Sequence, residues 1–419
     1  MEALKRAALP ALAFLLVPIL VARSGAARGG FRIDEAHKIS ETALLRAWPH
    51  PRDPAWTATI IDRTNPPVGK VLFALAIVAS GHPLPALPTL GRYERNGIIP
   101  ATFPSEVTRP YEPCLGPARA VSTIAVALIA ALVAWCAMRA GGVFGAVVAV
   151  ALLLTNFATQ LVWATAVFDP LLTLWETALL ALALRPRMRF APIATGIVGA
   201  LAFQTRINGA LFFLVTLPFA RRRWQALIAF AVTVLLVNPY YWPNPPARLF
   251  AQIRDLRWLL ERIPARLTAF DGKWQFLLEI VGGDVPGLLL LFAAAAGTIV
   301  VAMRWRVLPY DARIAGAWCL ATIIAFVVWL PVAWPRYMFA TVPPLCVLAA
   351  VGCGAFQRAI TSSVTLTRRS MASTITAAIS FGSMNPSRRS GQNGVSMPPG
   401  ATLMTRAFVP FASARKASV

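Results

Sequence analysis

A succession of apolar runs of helix-spanning length, separated by short basic clusters, fixes the class of this chain. About 20 apolar residues carry a helix across a bilayer. Runs of that kind fall at 7–22, 118–138, 142–162, 168–184, 190–204, 207–220, 224–242, 285–303, 312–332 and 336–356. Composition agrees: 57% of 419 residues are apolar and 14% are charged, with a mean hydropathy of +0.63. The formal charge of +23 would suit a nucleic-acid binder, whose basic stripe follows a phosphate backbone. Here Lys and Arg instead punctuate the apolar runs, as at the cytoplasmic turns of membrane proteins. The expectation is an all-α polytopic membrane protein with about ten spans and no nucleic-acid partner.

Orientation follows from the basic residues, which gather on the cytoplasmic side. Lys5 and Arg6 place the N-terminus inside, ahead of a first helix read as uncleaved. Arg139, the Arg185–Arg189 cluster, Arg221 to Arg223, Arg304 and Arg306 then fall inside, and Arg358 puts the C-terminus there too. Acids take the opposite side, Asp34, Asp62, Glu94, Glu106, Asp169 and Asp284 among them. Two stretches test this scheme. Val68 to Gly81 would span only about 20 Å as a helix, against about 30 Å of hydrocarbon, so it is read as lying at the outer interface. Phe190 to Ala220 is read as two short helices with Gln204 to Asn208 at the outer tip, which keeps both flanking basic clusters inside.

The spans leave a transmembrane body at 1–357 with two exported loops, 24–117 and 243–284. The second loop contains an amphipathic stretch, Leu249 to Leu267, that carries Arg254, Arg257, Arg262 and Arg266. Trp163, Trp242 and Trp334 stand near outer span ends, as in an aromatic belt. The tail at 358–419 is basic, rich in Ser and Thr, and read as disordered and cytoplasmic. It would serve either as a contact for anionic lipid head groups or as an unrelated extension. The five cysteines show neither a disulfide framework nor zinc spacing and read as small core residues.

Polar chemistry concentrates in Phe31 to Lys70, which holds the adjacent acids Asp34 and Glu35, His37, His50, and an Asn65-Pro66-Pro67 break before Lys70. Asp169 closes a second candidate region, where the chain re-enters the membrane, and Glu176 follows two turns later. A carboxylate inside an apolar span costs roughly 2.5–3.5 kcal/mol at a helix centre, so such residues point to function by default. An ion pair of Asp169 or Glu176 with Arg206 is the plainer account. Arg206 and Arg336 are outer-boundary cations that would either snorkel to lipid head groups or bind a lipid-linked phosphate; Lys70 carries the same two readings. The histidines lack an i, i+4 pair, so no metal is indicated, and no nucleotide-phosphate motif is present.

These residues resemble a known family in their order. The acid pair after the first span, the Pro66-Pro67-Val68-Gly69-Lys70 helix start, Ala118-Arg119-Ala120-Val121-Ser122, Phe168-Asp169-Pro170, Gly199 to Arg206, and Arg336-Tyr337 with Pro343-Pro344 are similar to the GT-C glycosyltransferases. The likeness is greatest to the protein O-mannosyltransferases (glycosyltransferase family 39) and the bacterial lipid A aminoarabinose transferases. Asn65 and Arg206 depart from the His and Lys that many members carry there. The resemblance implies an inverting transfer of a mannose-like sugar from a polyprenyl-phosphate donor to a lipid, glycan or protein hydroxyl at the outer face of a bacterial inner membrane. It implies no cofactor. Asp34, Glu35 and Asp169 are the implied catalytic acids, with Asp34 preferred as general base. Close like charges would raise the pKa of one of the adjacent pair. Lys70, Arg206, Arg336 and Tyr337 would surround the donor phosphate. The competing class is a polytopic transporter or lipid flippase, which would also carry intramembrane charge but shows internal repeats more often.

Overall fold

The structure is a computed structural model. It describes residues 2–28, 30–32, 34–57, 66–86, 108–261, 270–329 and 335–361. Asp62, Asn65, Glu94, Glu106, Arg262, Arg266, Trp334 and the tail from residue 362 lie outside the described residues. The chain divides into Met1–Thr361 and Ser362–Val419, and the described residues belong to the first unit.

Every regular element among the described residues is helical. They are α1 (Glu2–Ser24), α2 (Glu35–Ser40), α3 (Pro67–Ala79), α4 (Glu112–Thr155), α5 (Phe157–Val162), α6 (Asp169–Ala183), α7 (Ala191–Thr205), α8 (Gly209–Thr216), α9 (Arg223–Val237), α10 (Pro245–Leu260), α11 (Phe270–Gly282), α12 (Val285–Arg304) and α13 (Tyr310–Trp329). The last, α14 (Arg336–Thr361), opens on the 3₁₀ turn Pro335–Thr341. Among them, Ala7–Ser24, Arg109–Thr155, Val285–Arg304, Tyr310–Trp329 and Arg336–Thr361 are long and apolar enough to cross a membrane. Leu12, Leu15, Ile124, Phe292 and Met303 stand exposed on these helices, as lipid-facing side chains do.

The helix α4 is two arms joined at Gly142, whose φ of 81° and ψ of −177° break the helical path. Only glycine takes such a conformation without steric cost. The arms fold back on one another. Thr123 Oγ1 donates to the Trp163 carbonyl at 2.8 Å and Ser122 Oγ to that of Val167 at 3.5 Å, so the chain returns to the level it left 40 residues earlier. At the turn, Arg139 Nε donates to Asp311 Oδ2 at 2.9 Å. The Arg139 and Arg185 guanidiniums both lie over the Trp135 ring, at 5.2 and 4.8 Å. The basic turns after α4's first arm and after α6, and the start of α13, therefore share one end of the bundle.

The stretch Phe190 to Ala220 forms two helices, α7 and α8, parted at Arg206–Asn208. Gly199 meets the Phe213 ring and Gly209 meets the Ala202 carbonyl, which is antiparallel pairing. The interfacial stretch is the 13-residue α3. Its Lys70, Phe73 and Ile77 are buried, while Leu75 and Val78 are exposed. A Cβ on Gly69 would stand 2.5 Å from Cδ1 of Phe168, so the glycine admits α3 against the segment before α6. The amphipathic stretch of the second loop is helical over Pro245–Leu260. Trp163 departs from the belt reading: it is buried, with α4 covering it. Cys114, Cys136, Cys319 and Cys346 are buried and unpaired as disulfides.

Candidate active site

The two adjacent acids are sent to different partners by the backbone. Asp34, at the start of α2, has φ 69° and ψ −11°, and it is the one non-glycine with positive φ among the described residues. Aspartate tolerates this left-handed region better than most residues because its short side chain bonds locally. Beyond it, Glu35 turns inward and is fully buried. Glu35 accepts from Arg119 Nε at 2.8 Å and Nη2 at 2.7 Å. It also accepts from the Arg32 and Ala166 backbone N–H groups, each at 2.7 Å. Arg119 in turn donates to the Gly30 carbonyl at 2.6 Å. One carboxylate thus ties the first loop, α4 and the segment leading to Asp169 together.

Asp34 faces the other way and pairs with Arg336 Nη1 through Oδ2. Arg336 Nε lies 3.6 Å from Asp169 Oδ2. The same oxygen pairs with Arg206 Nη2 at 3.0 Å. Arg206 Nη1 donates to the Tyr337 hydroxyl at 2.9 Å. Both guanidiniums lie against the Tyr337 ring, 4.5 Å from its centroid for Arg206 and 5.3 Å for Arg336. Arg206 Nε is buried with no hydrogen-bond partner among the described residues. Helix ends make this cluster natural. Asp169 sits in the first turn of α6 and Arg206 caps the C-terminus of α7, each at the pole of the helix dipole that suits its charge.

A second charged group adjoins it. Glu41 Oε1 lies 2.9 Å from Lys38 Nζ and 2.6 Å from His37 Nε2, and its Oε2 lies 3.6 Å from Lys70 Nζ. All four residues are buried. Lys38 Nζ also stands 5.1 Å from the Phe168 ring centroid, one residue before Asp169.

Burial by itself would raise the pKa of Asp34, yet Arg336, Lys38 and His37 outweigh it and hold the carboxyl below its ordinary value. This corrects the expectation from adjacency. Glu35 is neutralised by Arg119, so cations and not the neighbouring acid set the field at Asp34. Glu41 is held well below the ordinary carboxylate range, against its burial, by Lys38, Lys70 and His37.

The structure therefore brings Asp34, Asp169, Arg206, Arg336 and Tyr337 into one cluster and sets Lys70 in the adjoining one. It does not bring in Glu35, whose oxygens are taken by Arg119 and two backbone donors. The ion pair expected for Arg206 falls to Asp169. Glu176 is fully buried in α6, and neither of its oxygens has a hydrogen-bond partner among the described residues. Sequence reasoning assigned no role to Arg119, Lys38 or Glu41. Arg119 carried a signal, as a cation just inside an apolar run; Lys38 and Glu41, three residues apart in a polar stretch, look like any solvated helix face. Among the described residues no group of three or more His, Cys, Asp or Glu side chains is arranged to hold a metal ion.

No protein-family model matches the sequence, and no curated protein matches it. Solved structures do. The chain is similar to the crystal structure of ArnT from Cupriavidus metallidurans bound to undecaprenyl phosphate, with a TM-score of 0.53 and 15% identity over 90% of this chain. It is also similar to the apo state of that protein, with a TM-score of 0.52 and 16% identity over 82% of this chain. The chain spans 66% and 59% of the length of those structures. At such identity the likeness speaks for architecture: this chain has the all-helical, polytopic membrane fold of the GT-C type.

Proposed function

We propose that the protein transfers a sugar from a polyprenyl-phosphate carrier to a hydroxyl acceptor at the outer face of the membrane. The observation that carries this reading is the charged cluster, drawn from four separate segments to one end of the bundle. Together with its neighbour group it holds three carboxylates, Asp34, Glu41 and Asp169, and four cations, Lys38, Lys70, Arg206 and Arg336. Before His37 is counted, one positive charge is in excess among the described residues, which suits one monoanionic phosphodiester. Likeness to a fold found with undecaprenyl phosphate bound supports the same carrier class. The basic turns at Arg139 and Arg185 occupy the opposite end, and the positive-inside rule puts that end in the cytoplasm.

In this reading Asp34 takes the proton of the attacking hydroxyl. Arg336, Arg206 and Tyr337 hold the donor phosphate and stabilise the charge that grows on it as it leaves. Lys70 adds field from the adjoining group. Asp169 orients both arginines, and Glu35 with Arg119 positions the segment that carries Asp34. A single displacement inverts the anomeric centre. A mannose-like sugar and a lipid, glycan or protein acceptor follow from the resemblance in sequence.

One observation favours a transporter instead: Glu176, a buried carboxyl of α6 with no hydrogen-bond partner among the described residues, is the kind of residue that lines ion and substrate paths inside a membrane. One experiment separates the two. Purified protein is incubated with radiolabelled polyprenyl-phosphate sugars and a membrane extract. The transferase reading expects label on an acceptor and free polyprenyl phosphate. Label that crosses the bilayer of proteoliposomes still attached to its carrier would establish the transporter and end the transferase reading.

A further inference from the structure

Asp34 and Arg336 are bound to each other, although the proposed reaction needs both for other partners. Arg336 must meet a phosphate, and Asp34 must accept a proton. Arg336 Nη1 is on Asp34 Oδ2, and the other flank of its guanidinium, Nε, is 3.6 Å from Asp169. Arg206 is likewise occupied by Asp169 and Tyr337. Two arginines and two aspartates balance one another. A carboxylate that is paired to a guanidinium is a poor base, because protonating it leaves the cation uncompensated in a buried place.

We propose that the Asp34–Arg336 ion pair is a latch opened by the phosphate of the donor, so that the base is released only when a polyprenyl-phosphate donor is seated. The inference rests on the donor class proposed above and adds an order of events to it. The phosphate oxygens take Arg336 Nη1 from Asp34 by the same charge-assisted, two-pronged recognition that arginine offers a carboxylate. The freed Asp34 then faces an anion in place of a cation, which favours its protonated form. In the transfer, the acceptor O–H bond breaks and its proton passes to Asp34. The acceptor oxygen bonds to the anomeric carbon as the bond from that carbon to the phosphate oxygen breaks. The electron pair stays on the phosphate, which is left as a monoester dianion against Arg336 and Arg206. Without donor the latch is closed, and water in the site meets no free base.

The geometry explains why the device is built on residue 34. The left-handed backbone at Asp34 turns its carboxylate away from Glu35 and Arg119. Arg336 stands beside a tyrosine face that holds its guanidinium in place when Asp34 lets go. Asp169, on the far flank, keeps one acid near the arginines throughout.

Binding of undecaprenyl phosphate to the purified full chain in nanodiscs, measured by native mass spectrometry, tests the latch through a double-substitution cycle. Asp34→Asn removes the internal competitor for Arg336, so it should tighten binding by about tenfold or more. Arg336→Gln should weaken binding. In the Arg336→Gln background, Asp34→Asn should bring little further gain, since there is no arginine left to release. An equal gain in both backgrounds would mean that Asp34 acts only as a distant negative charge, and the latch would be overturned. Unchanged affinity in Asp34→Asn overturns it as well. Should Arg336→Gln fail to fold, Arg336→Met takes its place, because it keeps much of the side chain's length and loses the charge that pairs with Asp34. Absence of saturable binding in the parent and all variants would instead remove the donor class, and the latch with it; binding with no dependence on the cycle removes the latch alone.

Discussion

Glu35 and Arg119, 84 residues apart, form a two-pronged ion pair with both side chains buried. Breaking a buried pair from one side leaves an uncompensated charge, at a cost of roughly 3–5 kcal/mol. Glu35→Gln is therefore expected to lower thermal stability markedly. Asp34→Asn, whose carboxylate is less buried, should lower it much less. Melting curves of the two variants in the same detergent check this, and a Glu35→Gln protein as stable as the parent refutes the clamp.

Activity should divide the other way. Asparagine keeps the shape of Asp34 and cannot take a proton, so transfer should fall by about 10²–10⁴ while the protein stays folded. Retention of rate within a few-fold would move the base elsewhere. Loss of activity in Glu35→Gln should track loss of folded protein, measured as activity per folded molecule.

Asp169→Asn should act chiefly on donor use. It removes the acid that orients Arg206 and Arg336, so the apparent KM for the donor should change more than kcat. A pure kcat effect of the size seen for Asp34→Asn would show that Asp169 takes part in the proton transfer.

Acid should destabilise the protein through Asp34 and Glu41. Both pKa values are held below ordinary, so the folded state binds these protons more weakly than the unfolded state. Their stabilisation is complete above the unfolded values of about 4 and is lost as pH falls through the lowered ones. The melting temperature should hold between pH 7 and about 5 and fall below about 4. Glu41→Gln should start lower at pH 7, because Lys38 and Lys70 lose the carboxylate that faces them both, and show less of the acid-dependent fall. A melting temperature that climbs on acidification would contradict the sign.

Sidedness is open to labelling. Asn208→Cys at the tip between α7 and α8 should react with an impermeant maleimide added outside, and cysteines at Arg187 or Arg222 should not. Reaction at only one of the two basic flanks would reverse the later topology.

The long apolar runs and the basic turns made the bundle legible, because spans and charges obey one-dimensional rules. The hairpin at Arg206 followed from the need to keep two basic clusters on one side. Asp34, Asp169, Arg206 and Arg336 were legible as charges at span ends. The Asp169–Arg206 pair was legible as the plainer account of an acid and a cation at two span ends; the Asp34–Arg336 pair was not, because its members lie 302 residues apart. Adjacency misled at Asp34 and Glu35: a sequence prints them side by side, while one left-handed residue separates their environments. Lys38 and Glu41 were missed because burial of a polar loop under α3 leaves no periodic mark.

The partners Asp34 and Arg336 stand 302 residues apart, one beside the first helix and the other at the mouth of α14. A ribosome would deliver the acid long before its cation. Through most of synthesis the nascent bundle holds Asp34 without Arg336, and the cluster first becomes neutral when α14 enters the membrane. On the proposed reading, insertion of that helix is the event that completes the site, and a chain arrested before it would have the bundle's walls without the proposed latch.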